Sequence, residues 1–333
     1  MGYLQSDRIV TVFGGSGFVG RNLVRTLCRK HWRVRVAMRR PHVGTHLKVS
    51  GDVGQVQLVQ ANVRDAASVA RAVEGVDAVV NLVGILFESG RQTFEGTQAT
   101  GARNIAQAAR QAGARRLVQV SAIGADANAR SEYARTKWAA ERAALEAVPA
   151  ATIIRPSIIF GPEDGFFTRF AEMARLSPVM PLIGGSTRFQ PVFVGDVAEA
   201  IANALERPDA AGRIYEIGGP RVYSMAELIR YILKVADRPR LLLPVPLGVA
   251  TPLGYVVGAL SKLNPLFGPP MTGDQMQLLR NDNLPASGSP GLAALGVTTA
   301  ETVEAIVPTY LWRHRPYGQF HEPRGEDMSR ADG

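Results

Sequence analysis

The 333-residue sequence predicts an α/β fold: a doubly wound parallel sheet with a smaller C-terminal lobe interleaved with it. Three observations predict this fold. An apolar run over 8–13 leads into a glycine-rich turn and a helix, apolar runs then alternate with helical segments up to residue 155, and proline and glycine become frequent after Pro156. Such alternation is typical of parallel strands joined by right-handed crossovers.

Each predicted element follows from its local pattern. Short apolar runs bounded by polar or turn residues predict strands at 8–13, 34–38, 56–60, 78–83, 116–120, 152–155 and 214–217, the last returning to the main sheet. Helical spacing of apolar residues predicts helices at 21–27, 66–74, 97–112, 166–176, 197–205 and 226–235. Gly113 is a natural end for the third of these helices. Ser224 and Glu227 form a capping box at the start of the last.

These patterns divide the chain into three parts. An α/β domain is expected over 1–155, a mixed substrate or docking lobe over 156–316, and a polar tail over 317–333. Segments near 190–217 are expected to return to the first domain. Since 46% of the residues are hydrophobic, the chain is able to bury a substantial core.

The glycine turn between the first strand and the first helix predicts a dinucleotide site. Glycines at 14, 17 and 20 let the backbone approach a pyrophosphate and let the helix pack closely on the strand. Free N–H groups and the positive dipole end of the helix then face the phosphates. The candidate cofactor-binding residues of this turn are Gly14, Ser16, Gly17, Phe18, Val19 and Gly20.

The end of the second predicted strand indicates which dinucleotide is bound. Proteins that prefer NAD usually carry an acid there, which bonds the ribose 2′-hydroxyl. This chain has Arg39 and Arg40 instead, and a guanidinium forms a planar, charge-assisted fork with a 2′-phosphate. We therefore predict NADPH, with NAD(H) as the alternative. The other interpretation is a pair of solvated surface arginines.

The net charge of +9 is concentrated near the start of the chain. Residues 8–51, the basic segment, hold ten lysines and arginines and no acid, whereas the remainder is nearly neutral. This segment suits anionic lipid, an acidic protein face or the cofactor phosphates, unless it is simply a solvated surface. Neither nucleic acid nor a metal is expected, because no recognition motif is present and the five histidines lack ligand spacing. A single cysteine, Cys28, suits a reducing compartment.

Residues 241–261, the apolar segment, carry no charge. The stretch is long enough to span a bilayer, but Pro244, Pro246 and Pro252 interrupt a continuous helix. Two interpretations therefore stay open. The segment is an apolar lip that rests on a membrane surface or a partner, or it is part of the core of the lobe.

Tyr133 and Lys137 are the candidate catalytic residues. Their i, i+4 spacing places them on one face of a predicted helix. A nearby ammonium and a positive nicotinamide lower a phenol pKa from about 10 toward neutrality, and the phenol then exchanges a proton with a carbonyl or alcohol. Lys137 is also expected to bond the nicotinamide ribose. Ser121 ends the fifth strand and is the candidate group for polarising a carbonyl, although the positions that follow it are apolar.

Together these motifs resemble the short-chain dehydrogenase/reductase superfamily, in its extended and atypical branches, over nearly the whole chain. The resemblance implies a Rossmann domain. It assigns the adenine to Asn62 and Val63, the ribose to Val83 and Gly84, and the nicotinamide edge to Pro156, Ser157 and Ile158, beside Ser121, Tyr133 and Lys137. Residues 189–197 resemble the start of the substrate lobe. Asp196 is expected there as a helix N-cap rather than a catalyst.

Within the superfamily, the chain resembles the NAD(P)H-binding accessory subunit of mitochondrial-type respiratory complex I and its bacterial relatives. The resemblance is carried by residues 51–55, 131–137, 154–164, 190–196 and 231–239. In that family the nucleotide is a tightly held structural NADPH, remote from electron transfer. The resemblance implies other complex I subunits and the membrane surface as partners. It also implies a peripheral location on the cytoplasmic side, or on the matrix side in an organelle.

Three functions are compatible with these residues. The first is a structural, NADPH-binding accessory subunit of complex I, in which the bound nucleotide stabilises the folded chain by linkage. The second is a working NAD(P)-dependent reductase, epimerase or dehydratase, with Tyr133 as acid or base and Lys137 as its support. The third is a regulator that reports the NADPH level to its partners.

Overall fold

The computed structural model of this protein describes residues 8–261 and 272–320, and a seven-stranded parallel sheet forms its centre. In chain order the strands are β1 (Ile9–Phe13), β2 (Arg33–Met38), β3 (Val56–Gln60), β4 (Ala78–Asn81), β5 (Arg116–Val120), β6 (Thr152–Pro156), β7 (Ile159–Phe160), β8 (Val179–Ile183), β9 (Arg188–Phe189), β10 (Val192–Phe193), β11 (Ile214–Ile217), β12 (Tyr223–Ser224) and β13 (Leu241–Val245). The helices are α1 (Phe18–Arg29), α2 (Ala66–Ala72), α3 (Thr100–Gln111), α4 (Glu132–Ala147), α5 (Phe167–Leu176), α6 (Val194–Glu206), α7 (Met225–Val235), α8 (Leu247–Ser261), α9 (Gly273–Leu278), α10 (Val303–Ile306) and α11 (Pro308–Leu311).

The strand order of the central sheet is β11-β6-β5-β4-β1-β2-β3. Val12 of β1 pairs in register with Val36 of β2 on one side and Val80 of β4 on the other. All three side chains are fully buried, which explains why these strands are continuous apolar runs. The order of strands reverses between β1 and β4, and ligands of open α/β sheets bind at such a point.

Helices cover both faces of the sheet, each over its own core. Leu23 and Leu27 of α1 pack with Ile201 of α6 on one face. Ile105 of α3 and Ala144 of α4 pack on the other. The predicted doubly wound α/β fold is therefore confirmed.

The chain leaves the sheet after β6 and returns to it twice. Helix α6 packs against α1, and β11 pairs in parallel with β6, with Tyr215 opposite Ile154. Asp196 is not the N-cap of α6, so that prediction is wrong. The helix already begins at Val194, because Phe193 at the end of β10 has the extended conformation of a cap. Asp196 lies in the first turn, and its carboxylate accepts a hydrogen bond from the Glu301 N–H at 2.9 Å.

A third hydrophobic core belongs to the C-terminal lobe. It includes Phe167 of α5, Leu228 and Ile232 of α7, and Tyr310 of α11, all buried. Small sheets accompany it, and among them β13 pairs in parallel with β8. The predicted polar tail lies outside the described residues from position 321 onward.

The apolar segment forms β13 and α8. Some of its side chains belong to the core of the lobe, and others are exposed. Leu242 and Leu247 pack against the core of the lobe, and Ala250 is buried. Leu241 and Leu243 are 67% and 54% exposed. Across residues 8–261 and 272–320, no helix has the length and apolar character needed to span a membrane.

Part of the basic segment is neutralised by ion pairs within the fold. Arg8 and Lys30 form ion pairs with Glu206 of α6, and Arg21 pairs with Glu163 at 2.6 Å. Arg35 donates to the carbonyl oxygens of Ala72 and Glu74. The excess positive charge of the basic segment is therefore smaller at the surface than the sequence suggests.

Candidate functional site

The turn between β1 and α1 lies against the end of β4. Gly14 has a φ of +80°, which residues with a side chain rarely adopt, and a Cβ there would lie 3.2 Å from the carbonyl carbon of Leu82. A Cβ at Gly20 would lie 2.3 Å from the Gly14 oxygen, so only glycine permits this approach of α1 to the turn. At Gly17 a Cβ would meet only the Gly14 oxygen, at 3.3 Å. The protein's own packing therefore requires Gly14 and Gly20 but not Gly17.

The start of α1 presents backbone donors without a side-chain cap. Gly17 is its N-cap residue, in an extended conformation, and no side chain accepts from the first turn. The first N–H groups of a helix lack partners within it, and they lie at the positive end of its dipole. Phosphate oxygens suit such a position.

Arg39 and Arg40 follow directly on β2 and are exposed. The next strand end, after β3, is held by local hydrogen bonds. Asn62 Oδ1 accepts from the Arg64 N–H at 3.2 Å, and the Val63 carbonyl accepts from Asn104 Nδ2 at 2.8 Å. These residues share the carboxyl edge of the sheet with the glycine turn.

A buried amide pair fixes the ends of β4 and β5. Asn81 Nδ2 donates to Gln119 Oε1 at 2.8 Å, and Asn81 Oδ1 accepts from the Val83 N–H at 3.0 Å. Gly84 follows, and a Cβ there would lie 3.0 Å from Lys137 Nζ. The backbone after β4 therefore passes directly beside the lysine of α4.

Tyr133 and Lys137 lie in the first turns of α4, which Ser131 caps. Lys137 Nζ donates to the Val120 carbonyl at 3.3 Å and lies 5.8 Å from the centroid of the Tyr133 ring. The Tyr133 ring also packs edge-on against Phe94, with centroids 6.1 Å apart. The structure thus brings the two predicted catalytic residues together at the end of β5.

Burial shifts both groups toward their neutral forms. It raises the pKa of Tyr133 to about 12, and it lowers the pKa of Lys137 to about 8 despite the opposing effect of the Glu141 carboxylate. The sequence-based expectation of a lowered Tyr133 pKa includes a bound nicotinamide and stays a prediction. In the protein without nucleotide, burial removes the phenolate from water and thereby disfavours the charged form.

Two polar atoms beside Lys137 are buried without a hydrogen-bond partner among the described residues: Ser121 Oγ and Gln98 Oε1. Ser121 donates its backbone N–H to Ile154 at 2.7 Å, and Gln98 Nε2 donates to Thr136 Oγ1 at 3.3 Å. Buried polar atoms in proteins are nearly always paired. These two therefore fit a bound molecule that carries hydroxyl or amide groups.

The segment Pro156–Ile158 is held from three sides. Ser157 donates its N–H to the Ile217 carbonyl at 2.9 Å and its Oγ–H to Asn283 Oδ1 at 2.7 Å. The Ile158 carbonyl accepts from the Val192 N–H at 2.9 Å. Strands β10 and β11 therefore position this predicted nicotinamide edge.

A cavity of about 1290 Å³ joins part of the predicted site to the C-terminal lobe. The predicted residues that line it are Val19, Gly84, Ser121, Tyr133, Lys137, Pro156, Ser157 and Ile158. The others lie outside its lining, in the loops after β1 to β4 and in the first turn of α1: Gly14, Ser16, Gly17, Phe18, Gly20, Arg39, Arg40, Asn62, Val63 and Val83. Metal-binding groups of three or more histidine, cysteine or acidic side chains do not occur in the described ranges.

Sequence reasoning missed Asp274, which caps the helix that carries Tyr133. Its carboxylate accepts hydrogen bonds from Ser131 Oγ and the Glu132 N–H, both at 2.7 Å, and from the Tyr133 N–H at 3.2 Å. Helix α9 is thereby tied to the start of α4. The signal was hidden because Asp274 lies 143 residues from Ser131 and was not part of any predicted element.

Comparison with known proteins places this geometry in context. The profile of the NAD dependent epimerase/dehydratase family matches residues 10–218, from β1 through β11. Among solved structures, a dTDP-glucose 4,6-dehydratase from Streptomyces venezuelae with NAD bound is 25% identical, with a TM-score of 0.61. The match covers 72% of this chain and 84% of that one.

Curated proteins match over most of the chain, among them the following three. NADH dehydrogenase (ubiquinone) 1 alpha subcomplex subunit 9, mitochondrial, from Rattus norvegicus is 35% identical over 315 residues, 94% of this chain and 82% of the rat protein. The protein of the same name from Arabidopsis thaliana is 36% identical over 288 residues, 84% of this chain and 71% of its own length. A Caulobacter vibrioides protein named ceramide reductase is 33% identical over 286 residues, 84% and 86% of the two chains.

Proposed function

The chain belongs to the NAD dependent epimerase/dehydratase family, and we propose that it is a nucleotide-binding accessory subunit of NADH:ubiquinone oxidoreductase, respiratory complex I. The observation that carries this function is its similarity to the rat and plant subunits. The family profile ends at residue 218, whereas the rat match covers 94% of the chain. Similarity to these subunits thus continues into the C-terminal lobe, and other subunits of the complex are its partners.

A nicotinamide nucleotide is the cofactor, and the residues at the carboxyl edge of the sheet fit one. The uncapped start of α1 and the glycine turn would hold the pyrophosphate. Lys137 would bond the nicotinamide ribose, and the unpartnered Ser121 Oγ and Gln98 Oε1 offer further polar contacts. When bound, the nucleotide supplies or accepts a hydride; in the structural role its contribution is the free energy of binding.

NADPH is the form we propose. The support is the position of Arg39 and Arg40, exposed directly after β2 at the edge of the sheet that carries the glycine turn. A 2′-phosphate there would accept charge-assisted hydrogen bonds from a guanidinium. A neutral 2′-hydroxyl would form much weaker hydrogen bonds with the same group.

A reductase is the second candidate function, favoured by Ser121, Tyr133 and Lys137 lining one cavity and by the relative named ceramide reductase. A Tyr133 pKa of about 12 keeps the phenol protonated at neutral pH. It would then donate a proton to a carbonyl oxygen that Ser121 Oγ polarises. The accessory role needs the same residues only as contacts to the nucleotide.

We further propose that the protein lies peripherally on the membrane surface, with the exposed edge of β8 and β13 facing it. Leu176, Leu241 and Leu243 are 80%, 67% and 54% exposed there. Arg175 precedes Leu176 and Arg240 precedes Leu241 in the chain, and Arg240 Nε donates to the Ala174 carbonyl at 2.7 Å. Exposed leucines next to arginines suit anionic lipid.

The decisive experiment is native electrophoresis of gently solubilised membranes. Comigration of this protein with NADH:quinone oxidoreductase activity is expected for an accessory subunit. Migration only as a small free species would overturn that function. The bound nucleotide, released by denaturing the isolated complex, should be NADPH.

A Tyr133→Phe variant separates the two candidate functions. It keeps the ring and removes the hydroxyl, so an accessory subunit should still assemble and retain nucleotide. A reductase should lose turnover by at least a hundredfold while still binding nucleotide. Growth that depends on Tyr133 despite normal complex assembly would favour the reductase.

A further inference from the structure

The cavity beside Tyr133 extends far beyond the predicted nicotinamide edge. Its volume of about 1290 Å³ exceeds the roughly 300–1000 Å³ of ordinary small-molecule sites. We propose that its lobe side binds the alkyl chain of an amphiphile whose head group is an uncharged hydroxyl or amide. The proposal rests on one part of the proposed function: the nucleotide occupies the end of the cavity that Tyr133 and Lys137 line.

The lobe side of the cavity is lined by aliphatic, aromatic and thioether groups from five elements. They are Phe166, Phe170 and Met173 in and next to α5, Ile183 of β8, Ile229 of α7, Val245 of β13, and Met276, Leu278 and Leu279 in and next to α9. Methionine is unbranched and polarizable, so it adapts to irregular apolar groups, and phenylalanine adds a large apolar area. Such a lining favours a hydrocarbon over a sugar.

Charged lining residues lie mainly where the cavity meets solvent. Asp126, Arg130, Arg280 and Asp282 line it and are exposed. Among the described residues, two charged lining residues are less exposed. They are Lys137, at the nucleotide end, and Arg169. A nucleoside diphosphate needs several convergent cationic donors, and two of the three lining arginines, Arg130 and Arg280, are exposed where the cavity meets solvent rather than within the apolar lobe side.

Helices α8 and α9 supply part of the cavity lining. A Cβ at Gly254 would lie 2.8 Å from Met276 Sδ, and one at Gly273 would lie 2.5 Å from the Tyr255 ring. The two helices therefore touch at glycine positions, and the buried Ala250 belongs to the lining. The apolar segment, predicted as either a lip or a core, here lines part of the cavity.

Two buried polar atoms on lining residues, one on Ser121 at the nucleotide end and one on Gln277 of α9, favour an uncharged polar group on the ligand. Ser121 is 3% exposed, and its Oγ has no hydrogen-bond partner among the described residues. Gln277 of α9 also lines the cavity, and its Oε1 is buried and unpaired within the same ranges. An amide oxygen requires a donor, which a hydroxyl or an amide N–H supplies and a carboxylate does not.

Binding of straight-chain alcohols to the purified full-length chain tests the proposal. Calorimetric titration with hexanol, octanol, decanol and dodecanol, with and without NADPH, should show Kd falling about fourfold per added methylene, because each buried methylene contributes about 0.8 kcal/mol. A Kd that does not change with chain length would overturn the proposal. So would displacement of decanol by UDP-glucose.

Two variants of the C-terminal lobe provide the matched comparison. Phe170→Asp places a charge in the lining and should weaken decanol binding at least thirtyfold, whereas Val222→Asp, 42% exposed next to β12 and outside the lining, should leave it unchanged. Met173→Gln serves if Phe170→Asp does not fold. Equal decanol binding by the lining variants and the control would overturn the proposal. Normal NADPH binding by Phe170→Asp keeps this test separate from failure of the nucleotide site.

Discussion

The Arg155 guanidinium donates two parallel hydrogen bonds to the Glu141 carboxylate, from Nε to Oε1 at 2.8 Å and from Nη2 to Oε2 at 2.7 Å. Glu141 is only 3% exposed. A third bond joins Nη1 to Glu216 Oε1 at 3.1 Å. These three side chains connect α4, β6 and β11 one helical turn beyond Lys137. They therefore hold the helix that carries Tyr133 and Lys137 to the sheet.

Replacing Glu141 with Gln should lower the free energy of unfolding by about 3 kcal/mol, because it leaves a largely buried guanidinium undercompensated. Urea denaturation measures the change. Glu146→Gln, on the same helix in an ion pair whose side chains are 52% and 65% exposed, should cost less than about 0.5 kcal/mol. Similar losses in the two variants would contradict a special role for the buried pair.

Gly17→Ala and Gly20→Ala should separate binding from folding. The Cβ at position 20 would overlap the Gly14 oxygen, so we expect a loss of about 3 kcal/mol in the free energy of unfolding. Position 17 tolerates a methyl group, and its variant should unfold normally yet bind NADPH at least tenfold more weakly. Thermal unfolding measures the stability of both variants, and nucleotide titration measures their affinity for NADPH. Normal NADPH binding by Gly17→Ala would argue against a pyrophosphate at this turn.

The double variant Arg39→Ala/Arg40→Ala should bind NADPH about tenfold to a hundredfold more weakly, because a charge-assisted hydrogen bond contributes about 1.5–3 kcal/mol. Its affinity for NADH should hardly change. Arg33→Ala is the control, since Arg33 is exposed at the opposite end of β2. Fluorescence titration with both nucleotides measures the ratio, and an equal loss for NADH would rule out 2′-phosphate recognition.

Burial of Lys137 should make stability depend on alkaline pH. Its pKa falls from 10.5 to about 8 on folding, so the folded chain binds fewer protons than the unfolded chain between those values. The contribution of Lys137 to the free energy of unfolding should therefore rise with pH across this window, by at most about 1.4 kcal/mol per unit, whereas Cys28, whose pKa burial raises to about 11, contributes a fall above pH 9. Lys137→Met should lack this rise, and Lys234→Met, altered at an exposed position on α7, should keep it. Urea denaturation at pH 8, 9 and 10 compares the three proteins.

The features that could be predicted from sequence are those encoded by neighbouring residues. Continuous apolar runs identified β1 and β2, because both of their faces are buried, and the glycine spacing identified the turn. The cap that Asp274 gives to α4 and the raised pKa of Tyr133 could not be predicted. Both depend on groups brought together by the fold, in the first case across 143 residues. The predicted start of α6 was too late in the chain. The extended conformation of Phe193 determines where the helix begins, and Asp196 does not.

The last strand to join the central sheet, β11, forms one of its two outer edges. It pairs with β6, and helix α6 packs on α1. A chain cut after residue 155 would therefore lack both the strand that covers the edge of β6 and the helix that covers α1. The two parts of the chain share these surfaces, so neither is complete when they are separated at this junction.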